Sequence, residues 1–268
     1  MKIEEAKRIG KEILKKNNID EREARLLLAF VLGVSSDELI RISEISKEKF
    51  EEYQKVLNKR IQGTPFSYII GEKEFMKLKF KVNENVLIPR PETEMLVEEV
   101  LKYSARSVLD VCTGSGCIAV SIACYNKKAK VSALDISEAA LEIASENAKI
   151  NKVNVEFIHS DLFENVNGKY DIIVSNPPYI ETSIIDTLDT EVQNEPHIAL
   201  DGGVDGLEFY RKIIREARDY LNEKGVLLLE IGYNQGRSVS NILSENNYKN
   251  IRVIKDLSEN DRVCVGNI

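Results

Sequence analysis

Asn176-Pro177-Pro178-Tyr179 is the stretch whose residue types most directly suggest chemistry. It follows residues 170–175, an apolar run that reads as a buried parallel strand. A rigid turn with a polar head therefore sits at the C-terminal end of a strand, where open α/β sheets bind ligands. Asn176 precedes a proline, which disfavours the α region and sets an extended exit. Pro177 and Pro178 lack N–H groups and offer only carbonyl acceptors. The Asn176 side-chain oxygen adds a neutral acceptor, and Tyr179 a flat face. Two acceptors and a plane suit an NH2 group whose lone pair is delocalised. They aim its nitrogen at a methyl donor and stabilise the positive charge that grows on it. The same four residues also make an Asx-type turn with a proline stop, and only their surroundings separate the two readings.

A second constellation lies upstream. Residues 107–111 read as a strand that runs through Asp110 into Cys112-Thr113-Gly114-Ser115-Gly116 and then into an apolar helix. Glycines let a backbone turn sharply and approach a ligand closely. Asp135 ends the next strand, 25 residues after Asp110, and a carboxylate there can accept hydrogen bonds from both hydroxyls of a ribose. Asp161 follows the third strand, as an acceptor for an adenine amino group or as a helix N-cap. Any adenosine cofactor could use this set. Gly114, Gly116 and Ala119 even satisfy a loose dinucleotide fingerprint, so an NAD-type oxidoreductase stays open. Against it, neither His159 nor His197 is placed as a hydride-transfer acid or base.

The elements that must position these residues alternate from residue 107 onward. Strands are expected at 107–111, 130–135, 154–159, 170–175, 225–231, 250–255 and 262–265, and helices at about 116–125, 137–151, 206–222 and 235–246. That order predicts a doubly wound, mostly parallel seven-stranded sheet. Six residues between the last two strands cannot make a parallel crossover, so the final strand is expected to be antiparallel. Residues 1–62 read as a small helical domain that could dock a substrate, with Asp20 opening one helix, and Ser46 capping another that Gly63 stops. Residues 63–91 read as a linker with a β-hairpin: a strand over 78–82, a turn at Asn83-Glu84-Asn85 and a returning strand over 86–88. Residues 92–268 form the catalytic domain. Arg90 and Glu92, in the stiff loop that opens it, read as an active-site rim or as a surface pair.

Bulk composition narrows the classes. Hydrophobic residues are 43% and charged residues 30% of the 268, as in a soluble globular protein. No apolar run has the length of a membrane span and the N-terminus is not a signal peptide, so cytoplasm is expected. Four cysteines without a CxxC pair and two histidines argue against a metal site. Net charge is −7. Residues 1–62 carry 14 Lys+Arg against 12 Asp+Glu, and the remainder 23 against 32. The catalytic part thus lacks the basic excess with which proteins grip nucleic-acid phosphates.

Residues 110–116, Asp135, Ser160-Asp161 and 176–179 together resemble class I S-adenosylmethionine-dependent methyltransferases of Rossmann-like fold that act on amino nitrogens. Residues 63–71, 88–94 and the run Glu195-Pro196…Ala199-Leu200-Asp201-Gly202-Gly203…Asp205-Gly206-Leu207 narrow the resemblance to the HemK/PrmC family. That family methylates the glutamine of the Gly-Gly-Gln motif in bacterial peptide-chain release factors. The resemblance implies S-adenosylmethionine as cofactor, held by Asp110, Cys112 to Gly116, Asp135, Asp161, Leu162 and Asn176. It implies a release factor as partner, bound by residues 176–179, with Asn176, Pro177 and Tyr179 acting on the amide. Neither membrane nor direct nucleic-acid binding is implied. An adenine amino-group methyltransferase on DNA or RNA is the rival, because its NH2 group is also planar. Two departures stand out: Cys112 replaces the family's usual glycine, so an extended conformation is expected there, and Leu162 replaces an aromatic that often stacks near the adenine.

Overall fold

In the computed structural model, which describes residues 1–268, nine strands fall into a two-stranded and a seven-stranded sheet. The strands are β1 (Glu72–Phe75), β2 (Leu78–Lys81), β3 (Ser107–Val111), β4 (Lys130–Asp135), β5 (Glu156–His159), β6 (Tyr170–Ser175), β7 (Leu221–Glu230), β8 (Lys249–Lys255) and β9 (Asp261–Asn267). The large sheet has the order β5-β4-β3-β6-β7-β9-β8. Its strands are parallel except β9, which runs antiparallel to β7 and to β8. The expected class I methyltransferase sheet, including its reversed last strand, is therefore observed.

Side-chain alternation explains why helices cover both faces. Val108, Ala133, Val174 and Leu228 turn to one cluster, with the helices Glu94–Leu101 and Cys117–Tyr125. Leu109, Leu134, Ile173 and Leu227 turn to the other, with Glu208–Tyr220 and Gly236–Glu245. Strands buried on both faces read as continuous apolar runs, which is why they were legible. The chain winds outward from β3 through β4 to β5, then returns to place β6 on the other side of β3. The C-terminal ends of β3 and β6 thus flank a topological switch point, the place where such sheets leave a crevice.

The two compact units are residues 1–71 with 189–194, and residues 72–188 with 195–268. In the first, the helices Ile3–Lys16, Glu23–Leu32 and Lys47–Ile61 enclose Leu14, Leu27, Leu28, Tyr53 and Leu57. Tyr53 donates to the Ala24 carbonyl at 2.9 Å. Ser46 caps its helix through the Lys49 N–H, and Gly63 has φ +94. Buried Arg60 pairs with Glu23 and Glu191. Asn194 donates to the Gly63 carbonyl at 3.1 Å, so a short excursion late in the chain completes the helical unit.

The hairpin differs from expectation. β1 and β2 pair around Met76 and Lys77, both at positive φ, and residues 86–88 form no strand. A two-residue hairpin turn needs left-handed backbone, and Met-Lys carries none of the Asn/Gly signal that announces it. At the end of β2, Asn147 Oδ1 accepts from the Lys81 N–H and its Nδ2 donates to the Lys81 carbonyl. Asn83 forms an Asx turn with the Asn85 N–H at 3.0 Å, and the chain then continues as an irregular wall.

Candidate active site

β3, β6 and β7 end in register: Val111 pairs with Ser175, and Ser175 with Leu229. The next residues, Cys112, Asn176 and Glu230, therefore lie side by side at the strand tips. A cavity of about 250 Å³ opens there, lined by Cys112, Thr113, Gly114 and Ser115 on one side and by Asn176 and Pro178 on another.

The β3 turn is fastened from beneath by Asp110. Its Oδ2 accepts from the Thr113 hydroxyl at 2.6 Å and from the Ala119 N–H at 3.2 Å. Its Oδ1 is buried with no partner. Burial pushes this carboxyl up to about 7 against those hydrogen bonds. A buried acceptor without a donor is costly; neither Asp110 nor Gly116 is on the cavity walls, so this oxygen lies beneath the turn that lines them. Gly114 and Gly116 both have positive φ. A Cβ on Gly116 would lie 2.9 Å from the Ala144 Cβ, whereas the space above Gly114 is open.

Cys112 departs from its expected extended form, with φ +61. The left-handed step lets Thr113 donate to the Leu134 carbonyl of β4 at 2.9 Å, so the need to turn outweighs the strain on a non-glycine residue. Burial raises its thiol, with Asp135 and Asp110 adding to the effect, so no reactive thiolate forms.

Asp135 lines the cavity at the end of β4. Its oxygens each accept one backbone N–H, from Gly114 at 2.8 Å and Ser137 at 3.0 Å. Burial raises its carboxyl above the usual range, and those bonds oppose the rise. Each oxygen keeps a lone pair for a diol. Asp161 and Leu162 also line the cavity, on a turn held by the Ser160 hydroxyl, which donates to the Leu162 carbonyl at 2.7 Å. Phe209 lines it too. It belongs to the same neighbourhood, since the adjacent Lys212 feels the charge of Asp161 and lies 5.7 Å from the Phe209 ring centroid. An aromatic face, missing at Leu162, is thus present from a different element. The polar and apolar walls together fit the amino-acid, ribose and adenine parts of S-adenosylmethionine.

On the acceptor side, Asn176 Nδ2 donates to the Thr93 hydroxyl at 3.3 Å, and both residues line the cavity. Pro178 lines it as well, whereas Pro177 and Tyr179 are absent from its walls. Tyr179 packs partly buried against the second core cluster, and its carbonyl accepts from Gln235 Nε2 at 3.0 Å. Its hydroxyl is raised by burial and by the charge of Glu230. Gly202 is bound to this turn: a Cβ there would meet the Tyr179 Cα at 2.7 Å.

Arg90 lines the cavity and is paired with buried Glu195. The second Glu195 oxygen accepts the Ile88 N–H at 2.9 Å. This carboxylate ties the loop around residue 89 to the loop carrying Pro196, Ile198 and Ala199, which also line the cavity. Of the two rim candidates, Arg90 lines the cavity and Glu92 does not. Neither histidine lines the cavity: His159 faces the Ile136 carbonyl at 2.9 Å, and His197 lies 3.9 Å from Asp201. Sequence reasoning missed Thr93, Phe209 and Glu230. Glu230 left a signal, being the one charged residue in the apolar run 226–231.

The methyltransferase small domain family matches residues 91–191, and the PrmC N-terminal domain family matches residues 5–71. The release factor glutamine methyltransferase of Thermodesulfovibrio yellowstonii is 40% identical over 265 residues, covering 95% of each chain. The chain belongs to the release factor glutamine methyltransferase family. The enzyme of that name from Caulobacter vibrioides is also 40% identical, over 96% of this chain and 93% of its own. The solved structure of the Thermus thermophilus 16S rRNA N2 G1207 methyltransferase, in complex with AdoMet and guanosine, shares the fold. It has a TM-score of 0.55 at 17% identity, over 73% of this chain and 49% of that one.

Proposed function

We propose that this protein transfers the methyl group of S-adenosylmethionine to the side-chain amide nitrogen (N5) of the glutamine in the Gly-Gly-Gln motif of peptide-chain release factors. The observation that carries the reading is the register of β3 and β6. It brings Asn176 beside the glycine turn at the sheet's switch point, with both on one cavity. Membership of the family supplies the substrate class. No helix is long and apolar enough to cross a membrane, and the reaction belongs in the cytoplasm, where release factors act.

The bound cofactor supplies an electrophilic methyl carbon on a positively charged sulfur. Asp110 Oδ1, beneath the β3 turn, would receive its ammonium, the backbone of residues 112–116 would surround its amino-acid part, and Asp135 would hold its ribose hydroxyls. Asp161, Leu162 and Phe209 would bound its adenine. Asn176 Oδ1 would accept a hydrogen of the substrate amide and direct its nitrogen toward the methyl carbon, whereas the Pro177 carbonyl, absent from the cavity walls, is not placed to take the second as its sequence position suggests. Pro178 closes the slot. Tyr179 stiffens the turn beneath it, in place of the stacking role its sequence position suggests. The nitrogen proton becomes acidic only once the new bond has formed, so no strong base is needed; positioning and electrostatics carry the rate. The helical unit docks the release factor.

The test is incubation with methyl-labelled cofactor and either a release factor or DNA and RNA, followed by mapping of the label. Label on the Gly-Gly-Gln glutamine is the expected result. Label in nucleic acid alone would replace this reading with the adenine amino-group one.

A further inference from the structure

Glu230 is 3% exposed and its Oε2 has no hydrogen-bond partner. Its strand neighbours Leu227, Leu228, Leu229 and Ile231 are all apolar and fully buried, so packing alone would favour another aliphatic residue at this position. A lone buried carboxyl is costly. Its place is specific: one step past the Ser175–Leu229 pair, beside Asn176. The Asn176 amide and the Thr93 hydroxyl both act on it, and Asn176 Nδ2 donates to that hydroxyl.

We propose that Glu230 is a positioning residue: as a carboxylate it takes the Thr93 hydroxyl hydrogen and faces the Asn176 NH2, and so fixes the Asn176 Oδ1 as the end offered to the substrate amide. This rests on the reading of Asn176 as the aiming group. The direction follows from donor counting. A carboxylate only accepts. Thr93 has a single hydrogen, and once that is given to Glu230 its oxygen can only accept from Asn176. The NH2 end of Asn176 is thereby held inward. A protonated Glu230 reverses the chain. It donates to Thr93, whose hydrogen is then free for the Asn176 oxygen, and the amide turns its NH2 toward the incoming NH2, donor against donor. The carboxylate also adds negative charge behind the atoms that face a nitrogen becoming positive.

Burial pushes the Glu230 carboxyl up to about 7, with Thr93, Arg262 of β9 and Asn176 lowering it and Glu92 raising it. Tyr179, Tyr210 and Cys117 face the same charge, each held neutral with its own proton raised by burial. Tyr210 donates to the Glu230 backbone carbonyl and not to its carboxyl. Turnover should therefore rise as pH increases through neutrality.

The experiment measures kcat and the KM for a release factor at saturating cofactor, and cofactor Kd separately by titration calorimetry, from about pH 5.5 to about 8.5. The wild type, Glu230→Gln, Thr93→Val and Thr93→Ser are compared. The expected wild-type kcat has an acid limb near neutrality. In Glu230→Gln the limb disappears and kcat at the alkaline end falls roughly 10²-fold, while KM and Kd stay within about twofold. Thr93→Val loses the limb too, and Thr93→Ser, which keeps the hydroxyl, restores it. An active wild type whose limb survives in Glu230→Gln, or a loss confined to KM or Kd, overturns the proposal alone. A wild type that methylates no release factor at any pH overturns the proposed function, and Glu230's role with it. If Glu230→Gln does not fold, judged by circular dichroism and the loss of a cooperative thermal transition, the two Thr93 variants decide by the same readings.

Discussion

The tips of β3 and β7 each carry one buried carboxyl with an oxygen that no protein group satisfies, Asp110 Oδ1 and Glu230 Oε2. Burial pushes both to about 7. Their surroundings differ. Asp110 is held by groups three and nine residues along the chain, the Thr113 hydroxyl and the Ala119 N–H. Glu230 faces Asn176, brought beside it by the pairing of β6 with β7, and Thr93, which comes from the short helix Pro91–Thr93. The first is a local turn built around one residue. The second is a convergence of three segments. On the proposed reading the same chemical device serves two ends: Asp110 would shape where the cofactor sits, and Glu230 which atom Asn176 presents.

The largest effect expected on this contrast comes from Asn176→Ala. It removes an acceptor whose interaction matures in the transition state, so kcat should fall roughly 10²-fold or more while cofactor Kd barely moves. Turnover on a release factor close to normal would sever the acceptor side from the chemistry. Next is Asp110→Asn. A charge-assisted contact to an ammonium is worth about 1.5–3 kcal/mol, so cofactor Kd should rise roughly 10- to 100-fold, with kcat at saturating cofactor much less changed. Titration calorimetry gives the answer. If Asp110→Asn struck kcat and spared Kd, the two carboxyls would no longer have separable roles.

Most of the first region was legible in the sequence, and little of the second. Asp110, Gly114, Gly116 and Asp135 are spaced along consecutive elements, and the apolar runs of β3 and β4 announce their own positions. Asn176 and its turn were readable for the same reason. Glu230 stands out as a charge in an apolar run, but what it faces lies in a register between strands 54 residues apart, Ser175 beside Leu229. Thr93, on the short helix Pro91–Thr93, meets Asn176 only across 83 residues of chain. No local pattern encodes either meeting. Phe209 escaped because the first turn of a helix carries no mark of what it faces. The left-handed Met76-Lys77 turn escaped because neither residue favours that backbone, and tertiary contacts overrode the preference.

A smaller effect separates the two carboxyls from ordinary surface acids. Both have raised values in the folded protein, so folding favours their protonated forms. Each contribution to stability is full below the ordinary value, 4.5 for Glu230 and 3.8 for Asp110. It is lost as pH rises through about 7. Cofactor-free Glu230→Gln should therefore melt at a higher temperature than the wild type above neutrality, with the difference shrinking toward acid pH. Thermal scans across that window provide the check. A difference that grew on acidification would mean that Glu230 is stabilised as a carboxylate, and would leave Asp110 as the only buried acid of this kind.

The smallest expected change is Cys112→Gly. A left-handed non-glycine residue costs about 1–2 kcal/mol, which glycine would relieve. Glycine also frees the unfolded chain, at a cost of about 0.5–1 kcal/mol, and it gives up the thiol's packing against the second core cluster. These contributions oppose one another, so stability in urea should move by less than about 1 kcal/mol. Cofactor Kd should stay within about twofold, because the backbone at this turn, already left-handed, forms the wall that the cofactor meets. A tenfold loss of affinity with unchanged stability would assign the contact to the sulfur. The β3 region would then depend on a side chain chosen for its ligand, as the β7 region does.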